Sequence, residues 1–457
     1  MMTLNLALRN LLRNRRRSLA TLLAMAIGST AILLFGGFSD NIKYEMHTRY
    51  VQRGGHLQIQ HRDFYLYGSG NPDAYAISNY AEILAAIRND PVLSSMLVVA
   101  TPTLQFGGIA GNYAASVSRT IVGTGLVATD INLMRRWNDF GLRSKAPASA
   151  LEGSAPDAAV VGTGLARVLQ LCDALKIDRC PQPELPQKHD GKTIPNDIAQ
   201  LSLQETPATA GTPASRPGRV EVLVANAKGA PNVTSVDVIR AEDQGIKELD
   251  EIALMMHLAK VQQLIYGHSP PKANSIMIQL RHSDQIPLAR ARLQTIVAGF
   301  SAVQPLAVLD FRQLNPFYVQ TTRMFDTIFG FVFILIGGIV LFTINNTMNT
   351  AVIERTVEIG TLRALGLRQA GIRRLFVTEG ALLGVCGALL GVVLALGLAA
   401  LVNQMDIPWV PPTTVEPVPL TILVWGETRM MLGTTVGLIC IAILSAWWPA
   451  HRAARLD

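Results

Sequence analysis

The sequence predicts an α-helical membrane protein with four transmembrane helices and a large α+β domain inserted between the first and second. Three observations predict it. Ser18–Phe38, Thr327–Ile353, Gly380–Met405 and Met430–Ala450 carry no charge, and about 20 apolar residues suffice to cross a bilayer as a helix. Arginines gather at alternating ends of these runs. The long segment between the first run and the second changes character, mixing short strand-like and helix-like patterns. The whole chain of 457 residues is 49% apolar and only 16% charged, lean for a soluble protein and normal for a membrane protein with a large exterior part.

Residues 1–40 hold two helices. Leu4, Leu8, Leu11 and Leu12 recur at helical spacing over residues 2–17, with Arg9, Asn10, Arg13 and Arg16 on the other side, a pattern for a helix lying on a membrane surface. The first span follows. Arg15-Arg16-Arg17-Ser18-Leu19 superficially resembles an export signal. Signal cores are shorter, about 7–15 residues, and end at a small-x-small site. The run here continues through Leu33-Leu34-Phe35, so a retained span is expected.

Residues 41–318 form the exterior domain. Strands are expected at 56–60, 97–101, 119–123, 220–224, 233–240 and 275–280, and helices at 80–88, 162–171, 247–265 and 286–298. Strands interspersed with helices, without a regular βαβ period, indicate a mixed α+β domain. Residues 146–157 and 181–218 are rich in Pro, Ala, Ser, Thr and Gln and read as exposed loops or an insertion.

Residues 319–457 hold the remaining spans. The second begins near Arg323, and a helix running unbroken from Tyr318 would project above the bilayer. The third carries Gly380-x-x-x-Gly384 and Gly387-x-x-x-Gly391, small residues that let helices approach closely in lipid. That interface lies within the chain or between two copies. Residues 401–428 form a proline-rich outer loop, and Trp447-Trp448 near the last span's end suits the headgroup zone.

Charge placement sets the orientation. Arg9, Arg13, Arg15, Arg16 and Arg17 precede the first span, Arg355, Arg363, Arg368, Arg373 and Arg374 fill the loop between the second and third, and Arg452 and Arg455 follow the fourth. Residues 402–428 contain no Lys or Arg. The positive-inside rule then places both termini and the 354–374 loop in the cytoplasm. The net charge of +7 is a membrane signature and makes no case for nucleic acid. Cys386 and Cys440 lie in spans as small apolar packers. Cys172 and Cys180, in the exterior segment, form a local disulfide in an oxidising compartment or stand as free thiols.

Little else carries chemistry. Gly191-Lys192-Thr193 is the nearest approach to a P-loop, but Pro186 stands where its first glycine belongs. His56 and His61 fall on opposite faces of a strand with no ligand cluster, so no metal is expected. Met255-Met256-His257 reads as a core Met beside a surface His within the 247–265 helix. No Gly-x-Ser-x-Gly or His-Glu-x-x-His is present, so hydrolase chemistry has no support. Glu379, near a span's end, is the one membrane charge of interest; it lies within reach of Arg373, Arg374 and the interface.

The charged segment between spans two and three reads Glu354-Arg355-Thr356-Val357-Glu358-Ile359-Gly360-Thr361-Leu362-Arg363-Ala364-Leu365-Gly366. Its apolar members Val357, Ile359, Leu362, Leu365 and Leu367 suit a helix along the membrane that offers its polar side to a partner. With Asn346, Ile372, Glu379-Gly380, Gly384, Gly387 and Gly391 at their spacings, it closely resembles the permeases of the FtsX-like/MacB family of ABC transporters. The resemblance covers about the last 135 residues well, the N-terminus too, and the middle in outline. It implies that the exterior domain is periplasmic, with a porter-like lobe and a β-rich lobe, on the bacterial inner membrane. It implies that 354–366 is a coupling helix docking on a cytoplasmic ABC ATPase, with Glu354, Arg355, Glu358, Gly360, Arg363 and Gly366 in the contact and a coupling role for Glu379. ATP and Mg would sit on that ATPase, a separate chain, so this chain would be no enzyme. A second permease subunit, membrane lipid and a periplasmic partner are further implied partners. The expected function is mechanotransmission that draws a lipoprotein or other amphiphile from the membrane, as in the lipoprotein-releasing branch. The alternatives are efflux with an adaptor and outer-membrane channel, or control of a cell-wall hydrolase.

Overall fold

The computed structural model describes residues 2–455 except 14, 69–71, 144–145, 178–217, 301–303 and 411–416. The expected insertion at 181–218 and Cys180 therefore lie outside the described residues, Gly218 apart. The chain divides into a helical unit, residues 1–47, 316–409 and 417–457, and a mixed unit, residues 48–315 and 410–416.

The helical unit begins with α1 (Met2–Arg13), followed by α2 (Arg15–Gly54). Its other long helices are Pro316–Glu354, Gln369–Gln404 and Thr428–Ala454. These four long helices are apolar enough to cross a membrane. At 1.5 Å per residue the first, of 40 residues, rises about 60 Å, twice the roughly 30 Å of hydrocarbon. The same holds for Pro316–Glu354, of 39 residues. Their buried seam consists of Met25, Ile32, Val340, Ile344, Phe376, Leu383, Leu438, Ala442 and Ala446.

The mixed unit starts with β1 (Leu57–His61), then α3 (Tyr80–Arg88), α4 (Pro91–Met96), β2 (Leu97–Asn112), β3 (Val117–Leu126) and α5 (Ala128–Arg135). After β4 (Ala158–Gly162) and α6 (Thr163–Val168) come β5 (Arg219–Ala225), β6 (Pro231–Glu242), β7 (Ala253–His257) and α7 (Leu258–Tyr266). The last elements are β8 (Ser275–Leu280), α8 (Ile286–Ala298) and β9 (Leu306–Asp310). The expected helix over 247–265 is not continuous. A single turn at Lys247–Asp250 is followed by β7, and only α7 continues as helix. Alternate burial of Leu254 and Met256 is a period-two pattern, which the longer apolar stretch obscured. Strands β4 and β9 were also not legible.

Strand β2 joins two sheets. Leu97–Thr103 pairs antiparallel with β8, which continues through β1 to β9. Leu104–Asn112 pairs with β3. From β3 the pairing runs through β7, β4, β6 and β5 and returns to β2, a closed ring of six strands. Closure leaves no free edge among the described strands of that lobe. Val220, Val222, Val224, Val236, Phe106, Ile121 and Val161 fill its interior. The four-stranded lobe carries helices: α8 packs against β9, α3 and α4, burying Ile286, Ala289, Leu293 and Val297 on one face. The domain is α+β and lies between the first and second long helices, as the sequence predicts.

Residues 146–157 are less free than their composition suggests. Leu151 is fully buried, and the Ser149 amide donates to Asn132 Oδ1 at 2.7 Å. His56 is buried, its Nδ1 accepting from the Leu280 amide at 3.0 Å, while His61 Nδ1 accepts from the Asp63 amide at 3.2 Å. Both imidazoles thus satisfy backbone donors. Cys172 is buried and disulfide-bonded; Cys386 and Cys440 are free.

Candidate coupling interface

The site is built where α9 (Pro316–Glu354) gives way to α10 (Thr356–Ala364) and then α11 (Gln369–Gln404). Arg355 marks the break, with non-helical dihedrals at the N-cap of α10. The Ile359 amide still donates to its carbonyl at 2.9 Å, so the turn is tight. Gly366 ends the segment at φ +91°, a left-handed conformation that costs glycine little; its amide donates to Arg363 O at 2.9 Å.

Arg355 points inward. Its Nη1 donates to Glu379 Oε1 at 3.1 Å, and both side chains are buried, 7% and 2% exposed. The same carboxylate oxygen accepts from Asn10 Nδ2 at 2.7 Å, and Arg355 Nη2 donates to the Asn10 carbonyl at 3.3 Å. Thus α1, the α9–α10 break and α11 meet at one polar knot inside the helical unit. Glu379 does not reach toward Arg373 and Arg374 or the surface as its sequence position allows. Its partner is Arg355.

Two exposed ion pairs flank the knot. Arg13 Nη2 donates to Glu358 Oε1 at 2.5 Å, and Arg17 forms a bidentate pair with Glu354, one arm at 2.7 Å. Arg13 and Arg17 are four residues apart in sequence, as are Glu354 and Glu358, and each pair spans the end of one helix and the start of the next. The expected contact residues Glu354, Arg355 and Glu358 therefore bind the chain's own N-terminal helices. Sequence reasoning missed Asn10, Arg13 and Arg17 as site residues, although the matching four-residue spacing of bases and acids was a usable signal.

Beside the exposed Glu354, Thr356, Glu358 and Thr361, the open surface carries large apolar side chains. Val357 is 83% exposed, Leu365 80% and Ile353 74%, while Gly360 is exposed with nothing near where a Cβ would stand. Val357, Gly360 and Ala364 share one face of α10, and Ile353 is exposed at the end of α9. Ile359, on the opposite face, is buried. The acids pair with Arg13 and Arg17 while staying about half exposed, and of the expected apolar members Ile359 is buried whereas Val357 and Leu365 are open. Arg363 is half-buried.

The glycine pairs pack within the chain. A Cβ on Gly380 would strike Ala446, and one on Gly384 would lie 2.7 Å from Ala442, both on α12 (Thr428–Ala454). A Cβ on Gly387 would lie 2.7 Å from Met25 of α2, and one on Gly391 would strike Ser29. One face of α11 thus serves two neighbours in succession.

Residues 327–457 match the family described as FtsX-like permease C-terminal. Over 242 residues the chain is 22% identical to an uncharacterized ABC transporter permease of Methanocaldococcus jannaschii, covering 48% of this chain and 55% of that one. It is 26% identical over 214 residues to the macrolide export ATP-binding/permease protein MacB of Hyphomonas neptunium, 46% of this chain and 30% of that one. Against the lipoprotein-releasing system transmembrane protein LolC of Haemophilus influenzae, identity is 28% over 151 residues, 33% of this chain and 37% of that one. The matches thus span about half or less of these relatives. Among solved structures, the periplasmic region of MacB from Actinobacillus actinomycetemcomitans aligns with a TM-score of 0.31 at 12% identity, over 57% of this chain and 90% of that one. Residues 327–457 thus carry the C-terminal domain of an FtsX-like permease, and the chain, with its four long apolar helices and the α+β domain between the first two, is similar over a third to a half of its length to permeases of the MacB and LolC type.

Proposed function

We propose that this chain is the permease subunit of an ATP-driven transporter, and that α10 receives the force of a separate cytoplasmic ABC ATPase. The observation that carries the reading is the exposure of the apolar Val357 and of Gly360 on α10, with Ile353 and Leu365 exposed at its two ends, on a segment anchored from behind by Arg355 and Glu379. An apolar stripe on a helix surface is a docking face. A short helix held by a buried ion pair and two further salt bridges moves with α1, α2 and α11 rather than bending alone. ATP and Mg reside on the partner, and the permease works as a pair with a second subunit in a bacterial inner membrane.

The cargo is a lipoprotein or another amphiphile of the outer leaflet, and the exterior domain meets a periplasmic carrier. The LolC likeness supports this. The MacB likeness, over 46% of the chain, supports a second reading: efflux with a periplasmic adaptor and outer-membrane channel. Purification from native membranes in mild detergent tests both. A stoichiometric ATPase supports the permease reading, and a co-purifying carrier or adaptor separates the two branches. A preparation without any ATPase overturns both.

A further inference from the structure

A cleft of about 450 Å³ opens among α2, α9 and α12, within the helical unit, at the ends from which the chain departs for the exterior domain. Its size falls in the range of about 300–1,000 Å³ typical of ligand pockets. One side is apolar, formed by Phe329, Phe333 and Met430. Gly330 and Gly433 also line it, and a Cβ built on either would meet nothing within 4 Å. The space beside these glycines is empty of protein atoms.

The mouth is charged in both signs. Lys43 Nζ lies 2.6 Å from Asp40 and 2.9 Å from Asp326, so two carboxylates share one ammonium, and Asp326 remains 64% exposed. Arg429, also lining the cleft and exposed, forms no hydrogen bond or ion pair among the described residues. Its near neighbour Glu427 is taken by the Tyr44 phenol. A third feature lies deeper. Ser39 is 1% exposed, lines the cleft, and its hydroxyl has no hydrogen-bond partner among the described residues. A buried hydroxyl left unpaired costs about 1–3 kcal/mol, and here it borders an accessible space.

An apolar groove beneath a mouth with one spare guanidinium, two carboxylates sharing a single ammonium and an unpaired hydroxyl matches one kind of molecule. We propose that this cleft binds a glycerophospholipid with an ethanolamine headgroup, one per chain. The phosphate pairs with Arg429, the primary ammonium with Asp326 and Asp40, and a glycerol or ester oxygen accepts from Ser39. One acyl chain lies along Gly330, Phe333 and Gly433. A choline head has no N–H to donate to the carboxylates, and a glycerol head brings no positive charge to them. The inference rests on the reading that these helices cross a bilayer and is independent of ATP coupling, so its failure leaves the permease reading standing.

The test uses the full chain in detergent, supplied with defined lipids and read by native mass spectrometry. The ethanolamine lipid is expected to be retained at one per chain, about tenfold over its choline and glycerol counterparts. Asp326→Asn and Arg429→Gln should erase the preference, and Gly433→Leu should abolish retention while leaving the melting temperature unchanged. If Gly433→Leu does not fold, Gly330→Leu fills the same space and replaces it. Equal retention of all three lipids, or full retention in the leucine variant, overturns the proposal. So does equal competition by glycerophosphoethanolamine, which has the head without the chains.

Discussion

Arg355 and Glu379 form a buried ion pair at 3.1 Å across the base of the helical unit, and Asn10 of the N-terminal helix binds both. The pair joins three segments far apart in sequence. It also turns a residue of the conspicuous charged segment away from the surface on which a partner would dock.

Removing one member should be costly. A buried charge deprived of its partner loses about 3–5 kcal/mol. We expect Glu379→Leu or Arg355→Leu alone to lower the melting temperature of the detergent-solubilised chain sharply, and the double leucine variant to recover most of it. A single variant as stable as the parent would show that the pair is not desolvated.

The flanking pairs should matter far less to stability. Arg13–Glu358 is half-exposed on both sides, and such pairs contribute about 0–1 kcal/mol. Arg13→Glu should impair coupling, with the double exchange Arg13→Glu and Glu358→Arg restoring it, as read by transport-linked ATP turnover. Failure of the exchange to rescue would assign Glu358 to the partner instead.

The docking stripe predicts a separation of effects. Val357→Glu and Leu365→Glu alter exposed side chains, so folding should stay within about 0.5 kcal/mol of the parent. Co-purification with the ATPase should fall at least about tenfold. An unchanged yield of complex would place the contact elsewhere.

Helix packing gives a graded series. Gly391→Val forces a side chain against Ser29, whereas Gly397→Val meets open space. The first should destabilise the chain by about 1–3 kcal/mol, the usual cost of overpacking, and the second should leave it unchanged. Thermal melts in one detergent decide this.

In the exterior domain, Asp90 caps α4, accepting from the Val92 and Leu93 amides at 3.0 Å. The Arg292 side chain, hydrogen-bonded to it, holds its carboxyl below the ordinary 3.8, and the two amide bonds act in the same direction. A carboxyl depressed on folding contributes stability that is present above the unfolded value and lost as pH falls through the folded one. Hydrogen exchange over residues 91–96 should therefore rise below about pH 4. Asp90→Ala should cost about 1 kcal/mol through the cap alone and flatten that acid-side dependence. A variant with the parent's pH profile would remove Asp90 from the account.

The sequence by itself determined the four long apolar helices and the place of the inserted domain, and its arginine placement gave an expected orientation. These follow from runs of uncharged residues and from arginine counts, properties that need no knowledge of distant neighbours. Local periodicity also placed Tyr80–Arg88 and Ile286–Ala298, where one amphipathic face meets one core. The β7 strand escaped because Ala253–His257 sits inside an apolar stretch that suits either period. Ring closure through β2 escaped because pairing partners lie far apart in sequence. At the coupling interface the segment was legible, but the direction of each side chain was not. Only tertiary packing decided that Glu354, Arg355 and Glu358 face α1, α2 and α11 while Val357 and Leu365 stay exposed. The reason is electrostatic: at the membrane edge the acids lie against basic helices of the same chain, and a charge pairs with the nearest opposite charge before it meets a partner protein.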